Sequence, residues 1–240
     1  MVSAPGARLA VWSRGCGPAV VLVHGGTGTA SHDWGHLMPA LANFGHIVAM
    51  DLRGHGYSLD EEFDLGTTRF GLDIACVMNS LGIPRAVMIG FSVGANSVLK
   101  LLSRCPWVAD AAIVVGASAR GKPERVREIM AGPWPSELRS LTHAAAKGDP
   151  DHWLRIREVL ARDWAENVRF LETGLGAVTC PVTIVQGAMD PIVLPEQADR
   201  LHEALANSRI IEVPATGHQV HREAPEAFLE VVTQVLGSVR

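Results

Sequence analysis

Residues 90–95 read "GFSVGA", with Gly90 two places before Ser92 and Gly94 two places after it. The apolar run "RAVMI" (85–89) leads into this stretch, and "NSVLKLLSRC" (96–105) follows it with apolar residues at helical spacing. A serine in an ordinary loop needs no glycine on either side. A serine on a sharp turn from strand to helix does, because a Cβ at either flanking position would run into the crossing backbone. The stretch therefore predicts a buried strand that hands over to a helix through a strained serine.

Around it lie more strands of the same kind. "AVVLVHG" (19–25), "HIVAMD" (46–51), "AAIVVGA" (111–117), "VTIVQG" (182–187) and "RIIEVP" (209–214) are short apolar runs of the sort buried on both faces, while "RLAVWS" (8–13) alternates like an edge strand. Helical patterns fall between them over 34–43, 67–81, 96–105, 195–206 and 225–236. Alternating strands and helices predict an α/β fold: a mainly parallel sheet with helices on both faces, and its functional loops along the rim at the strand ends.

The segment 119–176 breaks this rhythm. It has no strand pattern, only amphipathic helical pattern, so we expect a small helical cap inserted into a core made of residues 1–118 and 177–240. In "KGDPDHWLRIREVL" (147–160), Gly148 reads as a helix stop, Asp149 as an N-cap and Pro150 as the first helical residue, and Gly174 reads as a second stop.

Composition excludes several classes of function. The 240 residues are 48% hydrophobic and carry a formal net charge of −4, without a basic block, so no nucleic-acid partner is expected. No apolar run reaches the length of a membrane span, and the N-terminal stretch lacks a secretory pattern, so a cytoplasmic protein is expected. Cys16, Cys76, Cys105 and Cys180 are scattered without metal-ligand spacing and read as reduced core residues. Neither a metal nor a cofactor is called for. "HGGTGTAS" (24–31) lacks the Gly-Lys-Ser/Thr ending of a phosphate loop.

A serine on such a turn becomes a nucleophile only with a base, a group that orients the base, and donors for a developing oxyanion. Asp190 follows the strand 182–187, and His218 follows the strand 209–214, so both belong on the rim that carries Ser92. His221 competes with His218 but lacks the preceding glycine, and it reads as a surface residue. Asp51, Arg53 and His55 in "DLRGHG" (51–56) read as supports of a tight turn beneath the site.

The order Ser92, Asp190, His218 is that of the α/β-hydrolases. The chain resembles that superfamily, and a serine hydrolase of the carboxylesterase type within it, over nearly its whole length. "VLVHGGTGTASHDW" resembles the oxyanion loop, "DLRGHGYS" the DxRGxGxS turn, "GFSVGA" the GxSxG elbow, "GAMDPIV" the acid loop and "GHQVHREAPE" the histidine loop. The resemblance implies that Ser92 attacks an acyl carbonyl, that His218 is general base and then acid, and that Asp190 orients it. It also implies an oxyanion hole from the backbone N–H groups of Gly26 and Val93. The substrate would be a small or medium carboxylic ester, lactone or thioester.

Two alternatives stay open: a carbon–carbon bond hydrolase of the meta-cleavage type, and a ligand-binding receptor or cofactor-free oxygenase on the same scaffold. The first usually has Asn before the serine, where Phe91 stands here. For substrate contacts we single out Phe91, Trp134 and Trp153. Arg120, Arg125, Arg139, Arg155 and Arg157 offer either a clamp for a carboxylate or a solvated helix face. The sequence gives no oligomeric state.

Overall fold

The structure is a computed structural model that describes residues 1–132, 148–149, 151–170 and 174–239. The strands are β1 (Val2–Ala4), β2 (Ala7–Leu9), β3 (Val11–Arg14), β4 (Ala19–Val23), β5 (His46–Met50), β6 (Leu59–Asp60), β7 (Ala86–Phe91), β8 (Ala109–Val115), β9 (Val182–Gly187) and β10 (Ser208–Val213). The described helices are α1 (Ala30–Trp34), α2 (Met38–Leu41), α3 (Thr67–Ser80), α4 (Val93–Leu102), α5 (Pro123–Ala131), α6 (His152–Asn167), α7 (Glu196–Ala204), α8 (Val220–Glu223) and α9 (Pro225–Ser238).

Seven strands form one sheet in the order β10-β9-β8-β7-β4-β5-β3. Only the edge strand β3 runs antiparallel, in register Val11↔Met50 to Arg14↔Ile47, and every other pairing is parallel. Strands β7 and β9 are buried at every position, which is why they read as unbroken apolar runs. Apolar layers cover both faces, one built around α3 and α4 and the other around Trp34, Phe228 and α9. The small sheet β1-β2-β6 takes the first half of "RLAVWS", so that stretch serves two sheets rather than one.

Two helices depart from expectation. The pattern over 34–43 is split: α1 ends at Trp34 with Gly35 as its C-cap, and α2 begins at Met38 with Pro39 in its first turn. Helix α6 starts at His152 with Asp151, not Asp149, as its N-cap, and the Asp149 side chain accepts the Asp151 N–H (2.9 Å); the expected first helical residue, Pro150, lies outside the described residues. Among the described residues of 119–176 the only strand-like pairing is an antiparallel bridge between Arg120 and Arg169. The cysteines are free, as expected, but Cys16 is exposed and only Cys180 is buried.

Candidate active site at the sheet's C-terminal rim

Strand β7 ends at Phe91, and Ser92 carries the turn into α4 with φ 52° and ψ −116°, a positive φ that costs a non-glycine residue about 1–3 kcal/mol. The Ser92 N–H donates to the Val115 carbonyl (2.8 Å), pinning the turn to β8. A Cβ at Gly90 would lie 2.7 Å from the Ala95 backbone, and one at Gly94 would lie 2.5 Å from the carbonyl oxygens of both Val23 and His24. The glycines are therefore required by backbone crowding.

Asp190 follows β9 and is buried. Its Oδ1 accepts the N–H groups of Ile192 (2.8 Å) and Val193 (2.9 Å), and its Oδ2 lies 2.7 Å from His218 Nδ1. A carboxylate held by its own loop on one oxygen leaves the other to fix the imidazole. His218 packs against the Phe91 ring, with centroids 4.9 Å apart, and a Cβ at Gly116 would come within 2.8 Å of its ring. That glycine, at the end of β8, clears the space for the histidine.

Ser92 and His218 line one cavity of about 550 Å3, together with Gly26, Asp33, Phe91 and Val93 below and Leu160, Ala161 and Trp164 of α6 above. Its volume lies within the range of small-molecule pockets. A smaller cavity of about 230 Å3 between Ala111, Thr183 and Arg209 lies at the opposite ends of the strands. Val93 opens α4, so its N–H has no preceding turn to bond to, and neither it nor Gly26 N–H hydrogen-bonds to another described residue.

The loop that carries Gly26 is held from below by buried groups. The ring of His24 lies with Nδ1 2.6 Å from the Gly25 carbonyl and Nε2 2.8 Å from Leu52 N–H, which it accepts, so Nδ1 is the donor. His55 Nε2 lies 2.8 Å from the Gly26 carbonyl. Burial pushes both imidazoles below their ordinary range, well below it for His24. Asp51 accepts N–H bonds from Ala30 and Tyr57, yet burial still pushes its carboxyl up to about 6. Arg53 pairs with Asp73 in two hydrogen bonds (2.7 and 2.6 Å). The "DLRGHG" turn thus lies beneath the site, as expected, and through His55 it also reaches the loop that carries Gly26.

A family model for the alpha/beta hydrolase family matches residues 20–231. The chain belongs to the α/β-hydrolase family. Among individual relatives of this α/β-hydrolase, pyrrolizixenacetamide deacetylase of Xenorhabdus hominickii is 24% identical, with 92% of each chain covered. The human serine hydrolase BPHL is 26% identical, over 91% of this chain and 79% of its own. A hydrolase from Pseudomonas aeruginosa PA01 superposes with a TM-score of 0.81 at 20% identity, covering 99% of this chain and 97% of that one, which is a likeness of fold.

Two expectations need correction. His221 is fully buried, not on the surface: its ring is wedged between Trp34 (centroids 4.6 Å apart) and Phe91 (4.5 Å), behind the site. Trp153 is buried beside Arg157, whose guanidinium lies 5.0 Å from its ring, and it does not line the cavity. The wall begins one turn later on α6, and the tryptophan that reaches it is Trp164. Trp134 and Arg139 lie outside the described residues. Of the other arginines, Arg125 bonds the Pro191 carbonyl and Glu128, and Arg155 pairs with Asp149, while Arg157 reaches the cavity wall. Asp33, His24 and Gly116 contribute to the site, and sequence reasoning did not single them out. Among the described residues no helix is long and apolar enough to cross a membrane, and no cluster of His, Cys, Asp or Glu is placed to hold a metal ion.

Proposed function

We propose that the chain is a serine hydrolase that cleaves a small or medium carboxylic ester through an acyl-enzyme on Ser92. The observation that carries this reading is the 2.7 Å contact between His218 Nδ1 and Asp190 Oδ2, made by a histidine that shares the Ser92 cavity. With Nδ1–H donated to Asp190, the neutral ring keeps its lone pair on Nε2, the tautomer a general base needs. Ser92 Oγ adds to the ester carbonyl as its proton passes to His218 Nε2. The oxyanion forms against the N–H groups of Gly26 and Val93, each donor worth about 3–4 kcal/mol in the transition state. Collapse of the tetrahedral intermediate breaks the bond to the alcohol oxygen, which leaves with the proton from His218. Water then repeats the sequence on the acyl-enzyme, releasing the acid and restoring Ser92.

The segment 119–176 serves in this reading as a cap that selects the acyl chain. Leu160, Ala161 and Trp164 bound the cavity, and apolar walls discriminate by about 1–3 kcal/mol per methylene. Named relatives include an esterase and an enol-lactonase, in keeping with ester or lactone chemistry. Phe91 occupies the place before the serine, so the carbon–carbon alternative gains no support.

A fluorophosphonate should label the peptide containing Ser92 and a panel of p-nitrophenyl esters should be turned over, with both lost in Ser92→Ala. Labelling of another serine, or undiminished turnover in the variant, overturns the proposal.

A further inference from the structure

The proposed oxyanion donor Gly26 N–H sits in a Gly-Gly sequence, and close packing explains why. A Cβ at Gly25 would lie 2.8 Å from the Phe91 ring, and one at Gly26 would lie 2.8 Å from Val93 Cγ2 and 2.9 Å from Leu160 Cδ1. The elbow and α6 pack so closely against this loop that a side chain at either position would displace them. Two successive glycines are also the freest backbone a chain can have, which is the wrong property for a donor that must be aimed. Something must remove that freedom.

The buried carboxylate of Asp33 is placed to do so. Asp33 sits in the short helix α1 just beyond the loop, and its Oδ2 accepts the Gly25 N–H at 2.8 Å. Both of its oxygens lie over Gly28, where a Cβ would be 2.5 and 2.7 Å away. The loop closes on itself through Gly28 N–H to the Gly25 carbonyl (3.1 Å), and His24 Nδ1 lies against the same carbonyl at 2.6 Å. The Gly25 residue is therefore held at its N–H by Asp33 and at its carbonyl by Gly28 and His24. Because a trans peptide points its N–H opposite to its carbonyl, fixing the Gly25 carbonyl fixes the direction of Gly26 N–H.

We propose that Asp33 is a positioning residue for the oxyanion hole: by anchoring the Gly25 N–H it fixes the peptide before the one whose carbonyl Gly28 and His24 hold, and the two restraints together aim the Gly26 N–H at the reacting carbonyl. The inference rests on the ester-hydrolase reading above and adds to it a residue that acts through the backbone of the Gly25–Gly26 loop. Asp33 lines the same cavity, and burial pushes its carboxyl up to about 7 despite the Gly25 bond and the opposing pull of Arg222 and His218; His32 also lies nearby, with Nε2 3.9 Å from Oδ1. Protonation of Asp33 turns a charge-assisted hydrogen bond into a weaker neutral one.

The test uses the full chain, an activated ester and an alkyl boronic acid. The boronic acid bonds through boron to Ser92 Oγ, the Oγ proton passing to His218, and its tetrahedral oxygen then needs the oxyanion donors. Asp33→Ala should lower kcat about tenfold or more, weaken boronate binding in parallel, and leave KM within about threefold. Asp33→Asn keeps an oxygen for the Gly25 N–H and should recover most of both, with the ionisation near pH 7 gone from the kcat profile. A merely structural role would lower the melting temperature of Asp33→Ala and leave the kcat and boronate affinity of the folded protein unchanged. Unchanged kcat and boronate affinity in Asp33→Ala overturn the proposal. If Asp33→Ala does not fold, a wild-type pH profile in Asp33→Asn overturns it instead. A wild-type chain that takes neither boronate nor fluorophosphonate would refute the hydrolase reading, and this inference with it; an active wild type with indifferent Asp33 variants refutes this inference alone.

Discussion

His221→Leu should make the protein more tolerant of acid. In the wild type both ring nitrogens of His221 are buried without a hydrogen-bond partner, among Trp34, Phe91 and Phe228. Burial holds its pKa well below the ordinary 6.5, and the positive charges of His36, Arg222 and His218 push the same way. The folded protein thus keeps the ring neutral while the unfolded chain takes up a proton near pH 6.5. Stability present above that pH is lost as the pH falls towards the folded-state value, at about 1.4 kcal/mol per unit. Between pH 7.5 and 5.5 this one histidine should cost roughly 1.4 kcal/mol, or about 3–5 °C in Tm for a domain of this size. Leucine titrates nothing. At pH 7.5 the two unmade hydrogen bonds it removes and the aromatic contacts it gives up are of similar size, about 1–3 kcal/mol, so the proteins should start close together. His24 and His55 titrate with the same sign as His221, whereas the raised carboxyls of Asp33 and Asp51 lose stability as pH rises and so oppose them. The wild-type curve alone is therefore a sum, and the difference in Tm between variant and wild type isolates His221. Thermal melts followed by circular dichroism from pH 7.5 to 5.5 supply that difference. Parallel curves over this range would refute the reasoning.

Gly94→Ala should destabilise the fold by about 1–3 kcal/mol, because the added Cβ meets two carbonyl oxygens at 2.5 Å, although alanine is the better helix former; a raised denaturation midpoint would contradict this. Asp190→Asn should keep the Ile192 and Val193 contacts and a near-normal Tm but lower kcat on the order of ten-thousandfold, since the amide no longer selects the His218 tautomer. A fall of less than tenfold would remove Asp190 from that role. Trp164→Ala should reorder preference among ester chain lengths, whereas Trp153→Ala should chiefly cost about 3–5 kcal/mol of stability. An unchanged chain-length profile in the first variant would make Trp164 a packing residue.

The elbow was legible because its signal is local. Gly90 and Gly94 record clashes with backbone a few residues away or on the adjoining strand, and strand burial shows directly as unbroken apolar runs. Asp190 and His218 could be found because parallel strands bring their C-terminal ends to one rim whatever the intervening sequence. Asp33 was hidden for the opposite reason. In sequence it is an acidic residue beside a tryptophan, and its bond to the Gly25 N–H exists only because a glycine loop folds back over it. His221 misled because a histidine between Val220 and Arg222 looks solvent-facing until α8 tucks it beneath Phe91. Trp153 lies one helical turn before the cavity wall, which begins at Arg157, since periodicity gives the face of α6 but not where along it the cavity begins.

The inserted segment leaves and re-enters the core through a narrow neck. Gly121 N–H donates to the Val168 carbonyl and Phe170 N–H to the Ala119 carbonyl, both at 3.0 Å, and β8 and β9 on either side of the insertion are neighbours in the sheet. The two ends of the insertion are therefore already together before its own sequence is consulted. Replacing it by a segment twice as long would raise the entropy of closing that loop by only about 0.6 kcal/mol. In the proposed reading the neck makes the stretch between 121 and 168 an exchangeable module: recombination between relatives at these two points would replace the α6 wall of the cavity in one event, leaving Ser92, Asp190 and His218 untouched.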